Sequence, residues 1–350
     1  MKKILFICLD LNNGGAERVI STLANELSQK YEVGIYMIKP SGEVKYLINE
    51  SITLINNTRF LFSLPNIRRT IKNFDADVVV SFLAKTNIIV SLALVGSHQK
   101  LIVSERNDPN QNPKSKVIRY LRDYLYEFAD IKGFVFQTKD AQAYFSKKVQ
   151  KKSLVIHNPL VSQLPDFVKE KNFHRIVNVG RLDSQKNQRM LIKAFSNLPN
   201  NGNYILDIYG DGEMKSELIE YSKELGVEER VNFKGTTNKI HEEIKDAGLF
   251  AFSSDYEGMS NALIEAIAIG IPTLSTNHPI GGAKELIKDR ENGLLTEVAN
   301  AERFTTKMEE MLLNPDFSLK LAGNGLKLRE DLSTQKIVLQ WVNFFESVIE

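Results

Sequence analysis

Residues 249–268 read LFAFSSDYEGMSNALIEAIA (Leu249–Ala268). The apolar run Leu249–Phe252 stops at Ser253-Ser254, a turn with Gly258 follows, and Asn261–Ala268 reads as a helix. Strand, turn and helix in that order form the repeating unit of a parallel α/β sheet. Ser260 or Asn261 can cap the helix. Its first amides, at the positive end of the helix dipole, then form an anion site. Glu257 lies just before the helix and Glu265 about one turn inside it, on the same face as Asn261. Carboxylates repel phosphates, so these two are read as binding hydroxyls on either side of the anion. Glu265 runs into Ala266-Ile267-Ala268-Ile269, and a charge on so apolar a helix needs a partner.

The same unit recurs along the chain. In the first half strands are read at 3–9, 32–38, 52–54, 78–82, 101–104, 133–137 and 153–156. Helices are read at Ala16–Gln29 and Lys114–Ala129, the latter with Val117, Leu121, Tyr124 and Phe128 on one stripe. In the second half strands are read at 175–179, 204–209, 231–234, 249–252 and 272–275, with helices at 187–196, 213–225, 239–246 and 261–268. Between the halves, Pro159 to Pro165 is a polar stretch bounded by prolines, which continue neither a ladder nor a helix interior. Two doubly wound halves thus meet at a hinge, and such sheets bind ligands beyond the carboxyl ends of their strands.

Three further stretches follow strands of the second half. Gly180-Arg181-Leu182-Asp183-Ser184-Gln185-Lys186-Asn187 places a guanidinium and an ammonium on one loop, a pair suited to a diphosphate. Tyr209-Gly210-Asp211-Gly212-Glu213 allows either a plain tight turn or a close backbone approach to a ligand. Phe233-Lys234-Gly235 ends a strand where backbone groups could meet a flat base.

Composition bounds the alternatives. At 350 residues, with 43% hydrophobic and 25% charged, the chain fits two globular domains. No apolar run is long enough for a bilayer span, and the opening apolar run reads as a buried strand rather than a signal peptide. The single cysteine, Cys8, offers neither a disulfide framework nor metal spacing. A cytoplasmic location is expected. Residues 1–157 hold 23 Lys and Arg against 14 Asp and Glu, and the remainder 22 against 29. The basic half, with Arg68-Arg69, Arg119/Arg122 and Lys147-Lys148, suits a phosphorylated substrate or an anionic membrane surface. No nucleic-acid motif accompanies it, so no nucleic-acid partner is expected.

The ordered set GRLDSQKN, YGDGE, FKG and EGMSNALIE, with GGAER near the start, resembles the retaining glycosyltransferases of family 4. The resemblance covers nearly the whole chain. It implies a GT-B fold: two Rossmann-like domains facing an interdomain cleft, residues 1–158 for the acceptor and 167–332 for a nucleotide-sugar donor. A linker at 159–166 joins them, and a final helix at 333–350 returns to the first. It further implies that Arg181 and Lys186 hold the donor diphosphate and that Glu265 binds the ribose. Glu257 would contact the sugar with the amides of Gly258, Met259, Ser260 and Asn261, and Phe233 and Gly235 would border the base. Arg181, Lys186 and Glu257 are the expected catalytic set. No Asp-x-Asp metal motif is read in the chain, so no cofactor is expected and activity should persist in EDTA. UDP-linked hexoses or N-acetylhexosamines are the expected donors. A carbohydrate on a lipid diphosphate, met at the inner face of the cell membrane, is the expected acceptor.

In the first half, Asn12-Asn13-Gly14-Gly15-Ala16-Glu17-Arg18 follows the first strand without spelling G-x-G-x-x-G. Gly14 and Gly15 permit close approach to a ligand, read by resemblance as the donor diphosphate with acceptor groups nearby. Glu17 and Arg18 read equally well as an exposed first-turn pair. LIVSERNDP (Leu101–Pro109) sends Ser104, Glu105, Arg106 and Asn107 toward the acceptor side. Relatives often place a histidine where Arg106 stands. Arg106 is read either as a phosphate ligand or as the partner of Glu105. Competing functions are a nucleotide-sugar epimerase of similar shape, a non-catalytic subunit and a nicotinamide oxidoreductase. The last lacks its glycine fingerprint and acidic partner.

Overall fold

The computed structural model describes all residues except 13, 42, 58–63, 162, 200 and 201. Asn13 of the opening glycine stretch and Ser162 of the linker therefore lie outside the described residues. The chain divides into two compact units, Met1–Pro159 with Thr334–Glu350, and Leu160–Ser333.

In the first unit β1 (Lys3–Cys8), β2 (Glu32–Met37), β3 (Thr53–Asn56), β4 (Val78–Phe82), β5 (Leu101–Ser104), β6 (Gly133–Phe136) and β7 (Ser153–Val155) form one sheet. Its order is β3-β2-β1-β4-β5-β6-β7 and its ladders are parallel, Ile4 pairing with Val33 on one side and Val78 on the other. The inner strands are largely apolar because both faces are covered: Ile4–Cys8 and all of β4 are buried, Ser81 included. The helix Thr334–Ile349 belongs to this unit. Trp341 is fully buried, stacked on Phe82 at 5.8 Å, and Phe345 meets Phe6 at 6.5 Å.

In the second unit β8 (Asn172–Val179), β9 (Ile205–Tyr209), β10 (Val231–Gly235), β11 (Ala247–Phe252), β12 (Thr273–Thr276) and β13 (Leu294–Thr296) form a second parallel sheet, ordered β10-β9-β8-β11-β12-β13. Two parallel Rossmann-like sheets are the expected architecture. β13 is the strand that sequence reading omits. The linker's far end is fixed to this unit: the Arg329 guanidinium donates to the carbonyls of Pro165 and Ala268.

The helix Lys116–Phe128 departs from expectation. An apolar stripe ordinarily faces a core, yet Val117, Leu121, Tyr124 and Phe128 are exposed, and the buried residues are Arg122, Leu125 and Tyr126. Arg122 is no surface cation. Its guanidinium donates to the carbonyls of Pro109 and Asn112, pairs with Asp123 at 2.7 Å and lies over the Phe145 ring.

Candidate active site

Strand order reverses between β8 and β11, so ligand chemistry is expected beyond their carboxyl ends. β8 opens into the 180–187 loop and β11 into 253–257. Backbone and side chains join the two loops: Asp255 N donates to Gln185 O (2.9 Å), Ser253 Oγ to Lys186 O (2.8 Å) and Asn187 Nδ2 to Asp255 Oδ1 (2.8 Å). Burial pushes the Asp255 carboxyl up, and the Asn187 amide opposes this. The Lys186 ammonium lies 2.5 Å from Glu257 Oε1 and 4.9 Å from the Phe252 ring centroid. Ser254 Oγ also donates to Glu257 Oε1 (3.3 Å). Lys186 and Glu257 retain 13% and 11% side-chain exposure, whereas Arg181 is 68% exposed and pairs with Asp183 at 3.3 Å. The exposed guanidinium and the nearly buried ammonium thus share one sheet edge.

The glycines of Gly210-Asp211-Gly212 shape this loop. A Cβ on Gly210 would stand 1.9 Å from Gly180 O, and one on Gly212 would stand 2.3 Å from Leu182 O. Leu182 N donates to Asp211 O and Met214 N to Leu182 O, both at 3.0 Å. The close approach made by these glycines is to the backbone of the Arg181 loop. Gly282 plays the same part for the carboxylate loop, since its Cβ would stand 1.8 Å from Gly258 O.

Ser260 caps the helix Asn261–Ile269, its Oγ accepting from Leu263 N at 3.5 Å. Met259 and Ser260 are buried and Asn261 half-buried. Glu265 is 6% exposed, and the partner that its burial demands is His241, whose Nε2 lies 2.9 Å from Glu265 Oε2. Sequence reading missed His241: it stands 24 residues before Glu265, on the short helix Ile240–Ile244, and no local pattern links them. It also missed Phe252 as the floor beneath Lys186. Of the residues read as bordering a base, Phe233 packs against the core. Gly235 ends β10 in the left-handed region (φ 71°), its carbonyl accepting from Gly210 N at 2.7 Å.

In the first unit the strand order reverses between β1 and β4, and the opening glycines follow β1. Gly15 is the first residue of the helix Gly15–Leu27. Gly14 is covered by the Glu17 carboxylate, 1.7 Å from where a Cβ would stand, and its carbonyl accepts from Tyr46 Oη at 2.7 Å. Glu105 does not lie as read, and of the two readings of Arg106 the pairing with Glu105 is not found among the described residues. Glu105 is 3% exposed and accepts from Tyr126 Oη and Asn87 Nδ2, while Ser104 is fully buried. Burial raises the Glu105 carboxyl, and Arg122, Tyr126 and Asn87 oppose the shift. Glu105 is therefore internal framework and does not pair with Arg106. Arg106 is 8% exposed, lies over the Phe82 and Trp341 rings at 4.9 and 5.6 Å, and donates from Nη1 to Asn158 Oδ1 at 3.1 Å.

An Asp-x-Asp triplet does occur, at Asp75-Ala76-Asp77, but it precedes β4, where Asp77 Oδ2 accepts from Lys3 N at 2.6 Å. That is the amino end of the strands, away from the ligand edge. Among the described residues no group of three or more His, Cys, Asp or Glu side chains could hold a metal ion.

Two family models match the chain, Glycosyltransferase Family 4 over residues 13–162 and Glycosyl transferases group 1 over residues 163–328. A Campylobacter jejuni alpha-1,4-N-acetyl-D-galactosaminyltransferase, named for an undecaprenol-diphosphate-linked glycan, is 31% identical across 99% of both chains. A second Campylobacter jejuni N-acetylgalactosaminyltransferase with a diphospho-undecaprenol name is 31% identical across 89% of this chain and 90% of its own. Among solved structures, Anabaena HepE in complex with UDP and glucose matches at TM-score 0.83 and 19% identity, over 99% of this chain and all of that one. Sucrose-phosphate synthase from Thermosynechococcus elongatus matches at TM-score 0.85 and 16% identity, over 99% of each chain. The loop pair beyond β8 and β11, the two parallel sheets and the near-full-length relatives together make this chain a member of glycosyltransferase family 4.

Proposed function

We propose that the chain transfers a sugar from a UDP-linked hexose or N-acetylhexosamine to a carbohydrate carried on a lipid diphosphate, with retention at the anomeric carbon and without a metal. The observation that carries this reading is the Lys186–Glu257 pair at 2.5 Å at the reversal point of the sheet, beside Arg181. Lys186 and Arg181 take the donor diphosphate, Glu257 a sugar hydroxyl and Glu265 the ribose, with His241 orienting Glu265. Family relatives named for undecaprenol-diphosphate-linked glycans support the acceptor class.

In the reaction the acceptor oxygen forms a bond to the anomeric carbon as that carbon's bond to the diphosphate breaks. The acceptor proton passes to the leaving phosphate oxygen on the same face, so no protein base is required. The protein supplies position and charge stabilisation. A thermal-shift panel of nucleotide sugars selects the donor. Transfer to a lipid-diphosphate sugar, with the product anomer read by NMR and the assay repeated in EDTA, tests the rest. Nucleotide release that ignores the acceptor would favour an epimerase or hydrolase. An inverted product or strict Mg²⁺ dependence would refute the retaining or metal-free part.

A further inference from the structure

The apolar stripe of Lys116–Phe128 faces outward, with Val117 78%, Tyr120 75%, Tyr124 52% and Phe128 67% exposed. From Val117 to Phe128 it extends about 17 Å along the helix. The Tyr124 and Phe128 rings touch, at 4.7 Å between centroids. A groove of about 590 Å³ lies beside the stripe, bordered by Tyr120, Tyr124, Phe128 and Tyr144. We propose that this face is the surface by which the chain lies on an anionic lipid bilayer.

Charge selects this occupant. Lys114 and Lys116 stand exposed at the start of the helix. Lys147, Lys148 and Lys151 stand exposed on the helix Lys147–Lys151, which packs against it. Lys148 lies over the Phe128 ring at 5.5 Å. Nearby carboxylates already have cations: Asp123 has Arg122 at 2.7 Å, Glu127 has Lys148 at 3.9 Å and Asp130 has Lys132 at 2.7 Å. Among the described residues Lys114, Lys116, Lys147 and Lys151 form no ion pair, so the uncompensated charge on this face is positive. Aromatic and aliphatic side chains ringed by lysine suit the headgroup boundary of an anionic leaflet. A second copy of the chain fits poorly. Two such faces would bring like charges together. No helix among the described residues is long and apolar enough to cross a membrane, so contact from one side is the mode available to this surface. The biological reason for it rests on the lipid-linked acceptor proposed above.

The test is flotation of the full chain with phosphatidylglycerol-containing vesicles against pure phosphatidylcholine vesicles. The chain should prefer the anionic vesicles. Replacing the exposed rings together (Tyr120→Ser, Tyr124→Ser, Phe128→Ser) should weaken binding at least tenfold, leaving the melting temperature and the UDP thermal shift unchanged. Lys147→Gln with Lys151→Gln should weaken it roughly fivefold per lysine and flatten its salt dependence. Equal flotation of the ring variant, or no preference for anionic lipid, would overturn the proposal. So would a wild-type dimer in light scattering that the ring variant disperses. Vesicle binding without transfer to any acceptor would refute the transfer reading alone and leave the surface standing.

Discussion

The ammonium of Lys186 lies 2.5 Å from Oε1 of Glu257, with the Phe252 ring 4.9 Å from the same nitrogen. The residue assigned to the diphosphate and the residue assigned to the sugar are thus each other's counter-ion. A diphosphate seated on Lys186 competes with Glu257 for one ammonium, and the freed carboxylate can then accept from a sugar hydroxyl. On the proposed assignments, donor binding and the placing of Glu257 become one event.

Lys186→Ala should therefore have two separable effects. Transfer should fall about 100-fold or more, because a preorganised charge on the leaving group is lost, with the acceptor KM unchanged. Stability should fall by about 2 kcal/mol, because Glu257 is left nearly buried without its cation. Adding Glu257→Gln should recover stability and leave transfer low. Paired melting curves and steady-state kinetics decide it. A double variant no more stable than Lys186→Ala would remove the pair from the account.

Gly210→Ala tests the platform beneath Arg181. Its φ of 136° and the 1.9 Å approach to Gly180 O leave no room for a Cβ. Melting temperature and donor affinity should fall together. Gly226→Ala is the control. Gly226 also has positive φ (65°) but nothing within 4 Å of its Cβ position, so only about 1 kcal/mol of backbone strain is expected, with donor affinity intact. Equal losses in both variants would show that Gly210 matters for conformation alone.

The sheet architecture is legible because most inner strands carry a mainly apolar run closed by a glycine or polar turn. Leu249–Phe252 and Val78–Phe82 needed no tertiary information. The second-unit loops were legible because Arg181, Lys186 and Glu257 are close to strand ends. What stayed hidden depends on contacts remote in sequence. His241 meets Glu265 only through the packing of two helices. Glu105 turns inward because Tyr126 and Asn87, 21 and 18 residues away, wait for it. The stripe of Lys116–Phe128 reads as a core face because periodicity reports amphipathicity and not which side is wet. The buried Arg122 inverts the ordinary assignment.

Glu265 and His241 form the second pair to test. Glu265→Ala should abolish the thermal shift given by UDP, because a ribose hydroxyl bond to a charged acceptor contributes about 1.5–3 kcal/mol, or roughly 10- to 100-fold in Kd. His241→Ala should weaken UDP less, about threefold to tenfold, because the Glu265 carboxylate stays in place and loses its orienting partner. Uracil-free donors with the same ribose diphosphate should show the same ratio. Undiminished UDP binding in Glu265→Ala would place the ribose elsewhere.

Arg106 allows stability and function to be read apart. Its guanidinium is buried, held by Asn158 and two aromatic rings, and its Nε and Nη2 have no hydrogen-bond partner among the described residues. Burial alone brings its pKa down to about 9, so at neutral pH it is charged and poorly compensated. The cation–π contacts return about 1 kcal/mol, less than an unpaired buried charge ordinarily costs. Arg106→Met, similar in length and uncharged, should therefore melt at or above the wild-type temperature at pH 7. The folded pKa lies below that of the unfolded chain, so the charge penalises folding below about pH 9, and the penalty is relieved as pH rises from there toward the unfolded value. The advantage of the variant over wild type should accordingly shrink above pH 9. Transfer should separate the two readings of this residue. A loss of tenfold or more at pH 7, in a variant as stable as wild type, makes Arg106 a ligand for an anionic group. Wild-type transfer makes it a structural cation of the first unit alone.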